Sequence, residues 1–190
     1  MRNKKRKQKE LNGPNDIRYI RLLGMPSFEA LTKIPNELEK TIGIPIHDFG
    51  SDGNTQIAST QPSSIWLIIS LSCIALVKLI GAISWTVAVI RKKRAEAKIL
   101  ENHAKTLNLK NNALLMLIEA QKKQISNMLT AEAQTIQSSH YSHNDPEVLA
   151  RLKLSLNIMA DLIDRGTKIT TPSSDEKLTQ KFPDFTKTKL

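Results

Sequence analysis

Two histidines and an aspartate lie close together in the C-terminal half of the chain, at His140, His143 and Asp145. Imidazole nitrogens and carboxylate oxygens bind zinc, but structural zinc sites usually take four ligands at characteristic spacings. This set lies in a polar connection, has no cysteine beside it and offers only three ligands. The pattern therefore favours solvent-exposed histidines, and we expect no metal site.

The sequence carries no recognisable catalytic or cofactor-binding signature. It has no glycine-rich phosphate-binding loop, no nucleophile with a placed base and no acidic pair on a shared face. The single cysteine, Cys73, excludes an intramolecular disulfide and a cysteine-built zinc site. We therefore expect neither an enzyme nor a cofactor.

One long apolar run surrounds this cysteine. Residues 65–90 contain a single charged side chain, Lys78. A spanning helix needs about 20 apolar residues, so the run is long enough to cross a bilayer. Trp66 and Trp85 are 19 residues apart, and on a helix this spacing of roughly 29 Å would place one ring at each membrane interface. The sequence predicts one transmembrane helix over residues 64–90.

Lys78 and a row of small residues indicate a packing face on that helix. A charge near the middle of a membrane costs on the order of 3 kcal/mol. Lys78 would therefore either pair with an acidic or polar group of another transmembrane helix or snorkel towards the interface. Small side chains at helical spacing allow a second helix to approach closely. The expected packing face contains Ser70, Cys73, Val77, Lys78, Gly81, Ser84 and Ala88.

Basic residues are distributed unevenly around the run. The twenty residues before Ser64 contain no lysine or arginine, whereas the twenty after Ile90 contain seven. This asymmetry predicts a cytoplasmic C-terminal region and an N-terminal arm on the opposite side. The basic arm itself would then have to cross the membrane, so the reverse orientation stays open. The expected membrane-interface residues are Trp66, Trp85, Arg91, Lys92, Lys93 and Arg94.

The region after the run is rich in helix-forming residues, and residues 95–134 contain neither glycine nor proline. Leu115, Leu117 and Leu129 widen its apolar face beyond a strict coiled-coil seam, so a small bundle fits better than a long zipper. The heptad seam itself consists of Ala97, Leu100, Ala104, Leu107, Asn111, Leu114, Ile118, Gln121, Ile125 and Met128.

A second helix after this region has well-marked ends. Asp145 is a good N-cap, Pro146 suits the first helical position, and Gly166 can close the helix in a left-handed conformation. We expect this helix to fold back on the preceding one as a helical hairpin, or to bind a partner. Its apolar stripe contains Leu149, Leu152, Leu156, Met159 and Ile163.

These elements predict an all-α chain in four segments. Residues 1–63 form a basic arm, short helices and a polar linker, and residues 64–90 form the membrane helix. Residues 91–166 form the basic cluster and helical hairpin, and residues 167–190 form a disordered tail. The net charge of +10 is spread over the chain rather than gathered on one patch.

The predicted function is that of a single-pass membrane structural or assembly component. Its transmembrane helix and helical C-terminal region would bind other subunits of a membrane complex, or a second copy of the chain. The alternative is a membrane tether, for example a virion membrane protein, whose basic N-terminal residues 2–9 bind nucleic acid or anionic lipid. No particular membrane is indicated.

Overall fold

The computed structural model describes the backbone of residues 16–23, 28–50, 54–61, 64–71, 74–106, 112–170, 180 and 182–183, and the side chains of residues 32–50, 75–106, 112–167, 180, 182 and 183. The helices are α1 (Phe28–Leu38), α2 (Ile44–Asp48), α3 (Ile74–Thr106), α4 (Asn112–His140) and α5 (Pro146–Asp164), with one π-helical turn at Glu39–Gly43. The strands are β1 (Asp16–Leu23), β2 (Asn54–Gln61), β3 (Ser64–Leu71) and β4 (Lys168–Thr170).

Helices α3, α4 and α5 pack together as an up-down-up bundle. Polar contacts between α3 and α4 show their antiparallel register: Thr86 contacts Glu132 at 3.4 Å, and Glu101 contacts Lys122 at 2.8 Å. A short connection then reverses the chain, so that α5 runs parallel to α3. This arrangement is that of a small helical bundle.

The ends of α5 follow the predicted signals. The Asp145 carboxylate accepts a hydrogen bond from the Glu147 amide at 2.8 Å, and Pro146 is the first helical residue. Gly166 adopts a φ of 99°, and its amide donates to the Ile163 carbonyl at 3.0 Å. A left-handed residue of this kind ends a helix readily when it is glycine, because no Cβ clashes. Both predicted helix ends are confirmed.

The apolar stripe of α5 forms the centre of the bundle core. Leu152, Leu156 and Met159 are at most 2% exposed, Ile163 is also buried, and Leu149 is half-buried. They pack with buried residues of α3 and α4 in one continuous cluster. The stripe therefore finds its partner surface within the chain.

The short N-terminal helices pack against α5 through one buried and one partly buried polar contact. The Ser155 hydroxyl donates to the carbonyl of Thr41 in the π-helical turn at 2.8 Å. Arg151 of α5 donates to both carboxylate oxygens of Asp48 in α2, at 2.8 and 3.1 Å. Such a two-pronged contact fixes orientation as well as distance. The region before the apolar run is therefore joined to the bundle.

The four strands form one antiparallel sheet in the order β2-β3-β1-β4, which the all-α prediction did not include. That prediction is confirmed for the ranges whose side chains are described, since these are helical apart from turns. β4 lies in the segment expected to be a disordered tail. The remainder of that tail is described only at residues 180, 182 and 183, and the basic arm, residues 2–9, is outside the described residues.

The predicted transmembrane helix does not form over residues 64–90. Ser64–Leu71 form β3, and a helix begins only at Ile74. A short run rich in isoleucine suits a buried strand as well as a helix, and periodicity alone does not distinguish the two. Within the described part of the chain, no helix combines the length and apolarity needed to cross a membrane.

The helix expected over residues 95–134 is also divided. α3 ends at Thr106 and α4 begins at Asn112. The predicted heptad seam therefore folds back on itself, and its first half contacts its second half. The expected helical hairpin between α4 and α5 is present as well, so the region contains two consecutive helical hairpins.

Candidate interaction surfaces

At one end of the bundle, α3 and α4 extend beyond the end of α5. α5 ends at Asp164, whose carboxylate pairs with Arg91 of α3 at 2.5 Å, while Asp161 pairs with Arg94 at 2.6 Å. Of the helices that the structure describes, α3 and α4 continue beyond this level. We call residues 95–106 together with residues 112–128 the distal hairpin, and the remaining helices the helical body.

The seam of the distal hairpin is only partly shielded. Ala97 is buried, but the other described seam residues are half-buried. Beside the seam, Lys122 of α4 pairs with Glu101 of α3 at 2.8 Å. The side-chain oxygen Oε1 of Gln121 is buried without a hydrogen-bond partner among the described residues. Of the predicted packing residues, Leu107 lies outside the described residues, and those half-buried in the seam are Leu100, Leu114, Ile118 and Ile125.

Large apolar side chains are exposed around this seam. Leu115, Met116 and Leu117 at the start of α4 are 57%, 71% and 49% exposed. Ile99 on α3 is 52% exposed. Three adjacent side chains on a helix cover about 200° of its circumference, so α3 alone cannot bury them. The end of the hairpin is therefore an apolar surface.

The residues predicted to pack in a membrane are divided between two environments. Val77, Gly81 and Ser84 are buried in the helical body, and the Ser84 hydroxyl donates to the Ile80 carbonyl at 2.8 Å. Ala88 is half-buried and Lys78 is exposed. Ser70 contributes its backbone to β3, where its side chain is not described. Cys73 lies outside the described residues. Packing against a second membrane helix stays a prediction.

The predicted interface cluster is partly neutralised within the chain. Arg91 and Arg94 pair with α5, while Lys93 pairs with Glu96 at 2.8 Å. That contact lowers the pKa of Glu96, chiefly through the hydrogen bond from Lys93. Lys92 is exposed. Trp85 is half exposed, and Trp66 lies in β3, where only its backbone is described.

The histidine and aspartate group does not form a metal site. Asp145 caps α5, His143 is exposed, and burial together with the charge of Lys78 lowers the pKa of His140. Within the described residues, no group of three or more histidine, cysteine, aspartate or glutamate side chains is placed to hold a metal ion.

A groove between α4 and α5 has a volume of about 580 Å³. Gln137 at its edge is buried and donates to the Asp145 carbonyl at 2.6 Å. Its other polar lining residues include Gln134, Ser138 and Asn144. The lining residues include no lysine, arginine or histidine, and the Asp145 carboxylate accepts the capping hydrogen bond from the Glu147 amide.

No known protein family, curated protein or solved structure matches this chain.

The exposed residues Ile99, Leu115, Met116 and Leu117 were not among the predicted site residues, although Leu115 and Leu117 were expected to widen the apolar face. A signal for Met116 was present, since residues 113–118 are six consecutive apolar residues. A helix with one buried face cannot cover such a run. Which of these residues would stay exposed depends on where α5 ends relative to α3, and the local pattern does not specify that.

Proposed function

We propose that this chain is a structural assembly component that binds another protein subunit through the distal hairpin. The observation that supports this proposal is the exposure of Leu115, Met116 and Leu117 on adjacent positions. Consecutive exposed apolar side chains are unfavourable in water and usually belong to a binding surface. A partner protein that covers these three side chains would remove them from water, and their burial would favour binding.

A helical partner suits this surface. In the body, α5 and the short N-terminal helices pack with α3 and α4. The described part of the hairpin consists of two helices, which leave part of the apolar seam exposed to solvent. One or two helices from another subunit would complete a bundle around the hairpin. The half-buried residues of the seam would then become buried together with the exposed ones.

The experiment compares two glutamine variants during purification from the native source in mild detergent. One variant replaces Leu115, Met116 and Leu117, and the control is Leu154→Gln. Leu154 is 48% exposed on α5, close to the 49% of Leu117, but lies in the helical body. We expect a stoichiometric partner to be lost from the hairpin variant and retained by the control.

Circular dichroism of both variants verifies that the helices are intact before the comparison is made. Retention of the partner by a folded hairpin variant would refute the proposal. Recovery of the wild-type chain as a lone monomer in every extraction condition would do the same.

A location at a membrane is a second proposal, favoured by the apolar run. Residues 65–90 contain only Lys78 as a charged side chain and have the length of a span. In a bilayer this run would be helical throughout, with the basic cluster on the cytoplasmic side. Alkaline carbonate extraction tests it, because a spanning chain stays with the membrane pellet. Release of the chain into the supernatant would contradict a spanning helix.

The tether remains the alternative function, supported by the cluster of lysines and arginines in residues 2–9. Phosphate binding by such a cluster weakens steeply with salt. Deletion of residues 2–9 should abolish binding to nucleic acid or anionic vesicles if the chain is a tether. An assembly component would keep its partner subunit after the same deletion.

A further inference from the structure

The exposed face of α3 in the helical body carries residues at heptad spacing. Lys78, Ala82, Trp85, Val89 and Lys92 follow one another at intervals of four, three, four and three residues. These intervals keep their side chains on one narrow line along the helix, as in a coiled-coil seam. We call these five residues the outer stripe.

The centre of the outer stripe is apolar and open to solvent. Trp85 is 50% exposed and Val89 is 44% exposed, and Ala82 beside them is half-buried. A large ring next to a small residue provides the knob and the hole with which helices interdigitate. The opposite side of α3 is already buried in the body, so this side is available to another helix.

Both ends of the outer stripe are basic. Lys78 and Lys92 are exposed, and each lies seven residues from Trp85. Neither ammonium forms an ion pair with a carboxylate of the described residues. The next position at heptad spacing is Glu96, whose carboxylate accepts a hydrogen bond from Lys93 at 2.8 Å. The stripe therefore presents two positive charges around an apolar centre.

The symmetry of these charges argues against a second copy of the chain as the occupant. Centred on Trp85, an antiparallel copy would place Lys78 against Lys92 at both ends. A parallel copy would place each lysine against itself. Either arrangement brings like charges together, which opposes association.

We propose that the outer stripe binds an acidic amphipathic helix of a different protein. The partner would carry two carboxylates about 14 residues apart, matching the spacing of Lys78 and Lys92, with small apolar residues between them to receive Trp85. This surface is separate from the distal hairpin, so the inference does not depend on the hairpin proposal.

The chain itself supplies the probe. The variant with Lys78→Glu, Trp85→Ala and Lys92→Glu, called the reversed variant, converts the outer stripe into an acidic amphipathic helix of the required spacing with a small residue at its centre. Mixed with an affinity-tagged wild-type chain, the untagged variant should be retained about tenfold more than untagged wild type, because attraction replaces repulsion at both ends. High salt should remove this difference.

Two controls make the result specific. Lys105→Glu with Lys123→Glu introduces the same charge change at exposed positions outside the stripe and should give no gain. Trp85→Ala in the tagged chain should reduce the gain. Glutamine substitutions at Leu115, Met116 and Leu117 should leave it unchanged, which separates this surface from the hairpin.

Equal retention of the reversed variant, the control and wild type would overturn the proposal. Vesicles containing phosphatidylserine test the competing occupant. If the wild-type chain sediments with them in a Trp85-dependent and Lys92-dependent manner and shows no preference for the reversed chain, the stripe binds an anionic lipid surface and the proposed partner helix is wrong.

Discussion

The helical body and the distal hairpin share the same two long helices, yet the largest fully buried apolar side chains of the described residues lie in the body. In the body, α5 lies against α3 and α4 and brings Leu152 and Leu156 almost completely out of water. In the hairpin, α5 is absent and Met116 is 71% exposed. The difference shows that the end of one helix determines which part of its neighbours is core and which is surface.

The largest expected difference between the two regions comes from truncating a core leucine. Leu156→Ala should reduce the free energy of unfolding by about 2–5 kcal/mol, because it leaves a cavity in a fully buried site. Leu117→Ala in the hairpin should cost about 1 kcal/mol or less. Urea unfolding followed by circular dichroism measures both. Equal losses would mean that the hairpin is as well packed as the body.

A buried hydrogen bond gives the next test of the body. Ser155→Ala leaves the Thr41 carbonyl without its donor and should cost about 1–3 kcal/mol. Ser138→Ala is the control, because its hydroxyl donates to the Thr135 carbonyl at an exposed site, and its cost should lie within about 0.5 kcal/mol. Thermal unfolding of the two variants provides the comparison. Indistinguishable midpoints would indicate that the π-helical turn does not depend on α5.

Tyr141 should make the stability of the folded protein depend on pH in the alkaline range. Its hydroxyl donates to the Pro45 carbonyl at 2.9 Å, and Tyr141→Phe should cost about 1 kcal/mol near neutral pH. Burial raises the pKa of Tyr141 above its ordinary value, with a smaller contribution from Asp48. Stability from the neutral phenol is therefore fully present below the unfolded-state pKa and is lost as pH rises. The gap between wild type and variant should narrow with increasing alkalinity, and a constant gap would contradict this assignment.

The smallest expected effect concerns the exposed ion pair of the hairpin. Lys122→Gln removes the partner of Glu101, but solvent and salt screen this contact. The unfolding midpoint should shift less than for Tyr141→Phe, and the shift should disappear at high salt. A large shift that persists in salt would show that the hairpin seam depends on this pair.

Local signals predicted α5 well because its ends are determined by neighbouring residues. Asp145 and Gly166 act within a few residues of the helix, and the stripe from Leu149 to Ile163 requires only a 3.6-residue period. Those parts of the candidate surfaces that depend on long-range arrangement were not predicted. Met116 is exposed beyond the level at which α5 ends. Ile99 instead continues the line of Trp85 and Lys92 on the exposed side of α3.

The apolar run shows more clearly that hydrophobic periodicity alone does not distinguish a helix from a strand. Residues 64–71 satisfy the hydropathy of a span and also the composition of a strand, and pairing with β1 and β2 decides between the two. The described residues of the predicted heptad seam are buried or half-buried, and they lie on two antiparallel helices that pack against each other. The spacing of the apolar residues predicted which face of the helices would pack, but it did not predict which helix would pack against that face.

α3 continues past Arg94 without a break, and this continuity makes the hairpin stiff. Its last twelve residues, 95–106, carry the hairpin roughly 18 Å beyond the body without interrupting the helical hydrogen bonds. A helix of this kind resists bending, so the hairpin acts as a stiff spacer. If the hairpin binds a subunit as proposed, the length of α3 would set the distance between that subunit and the body.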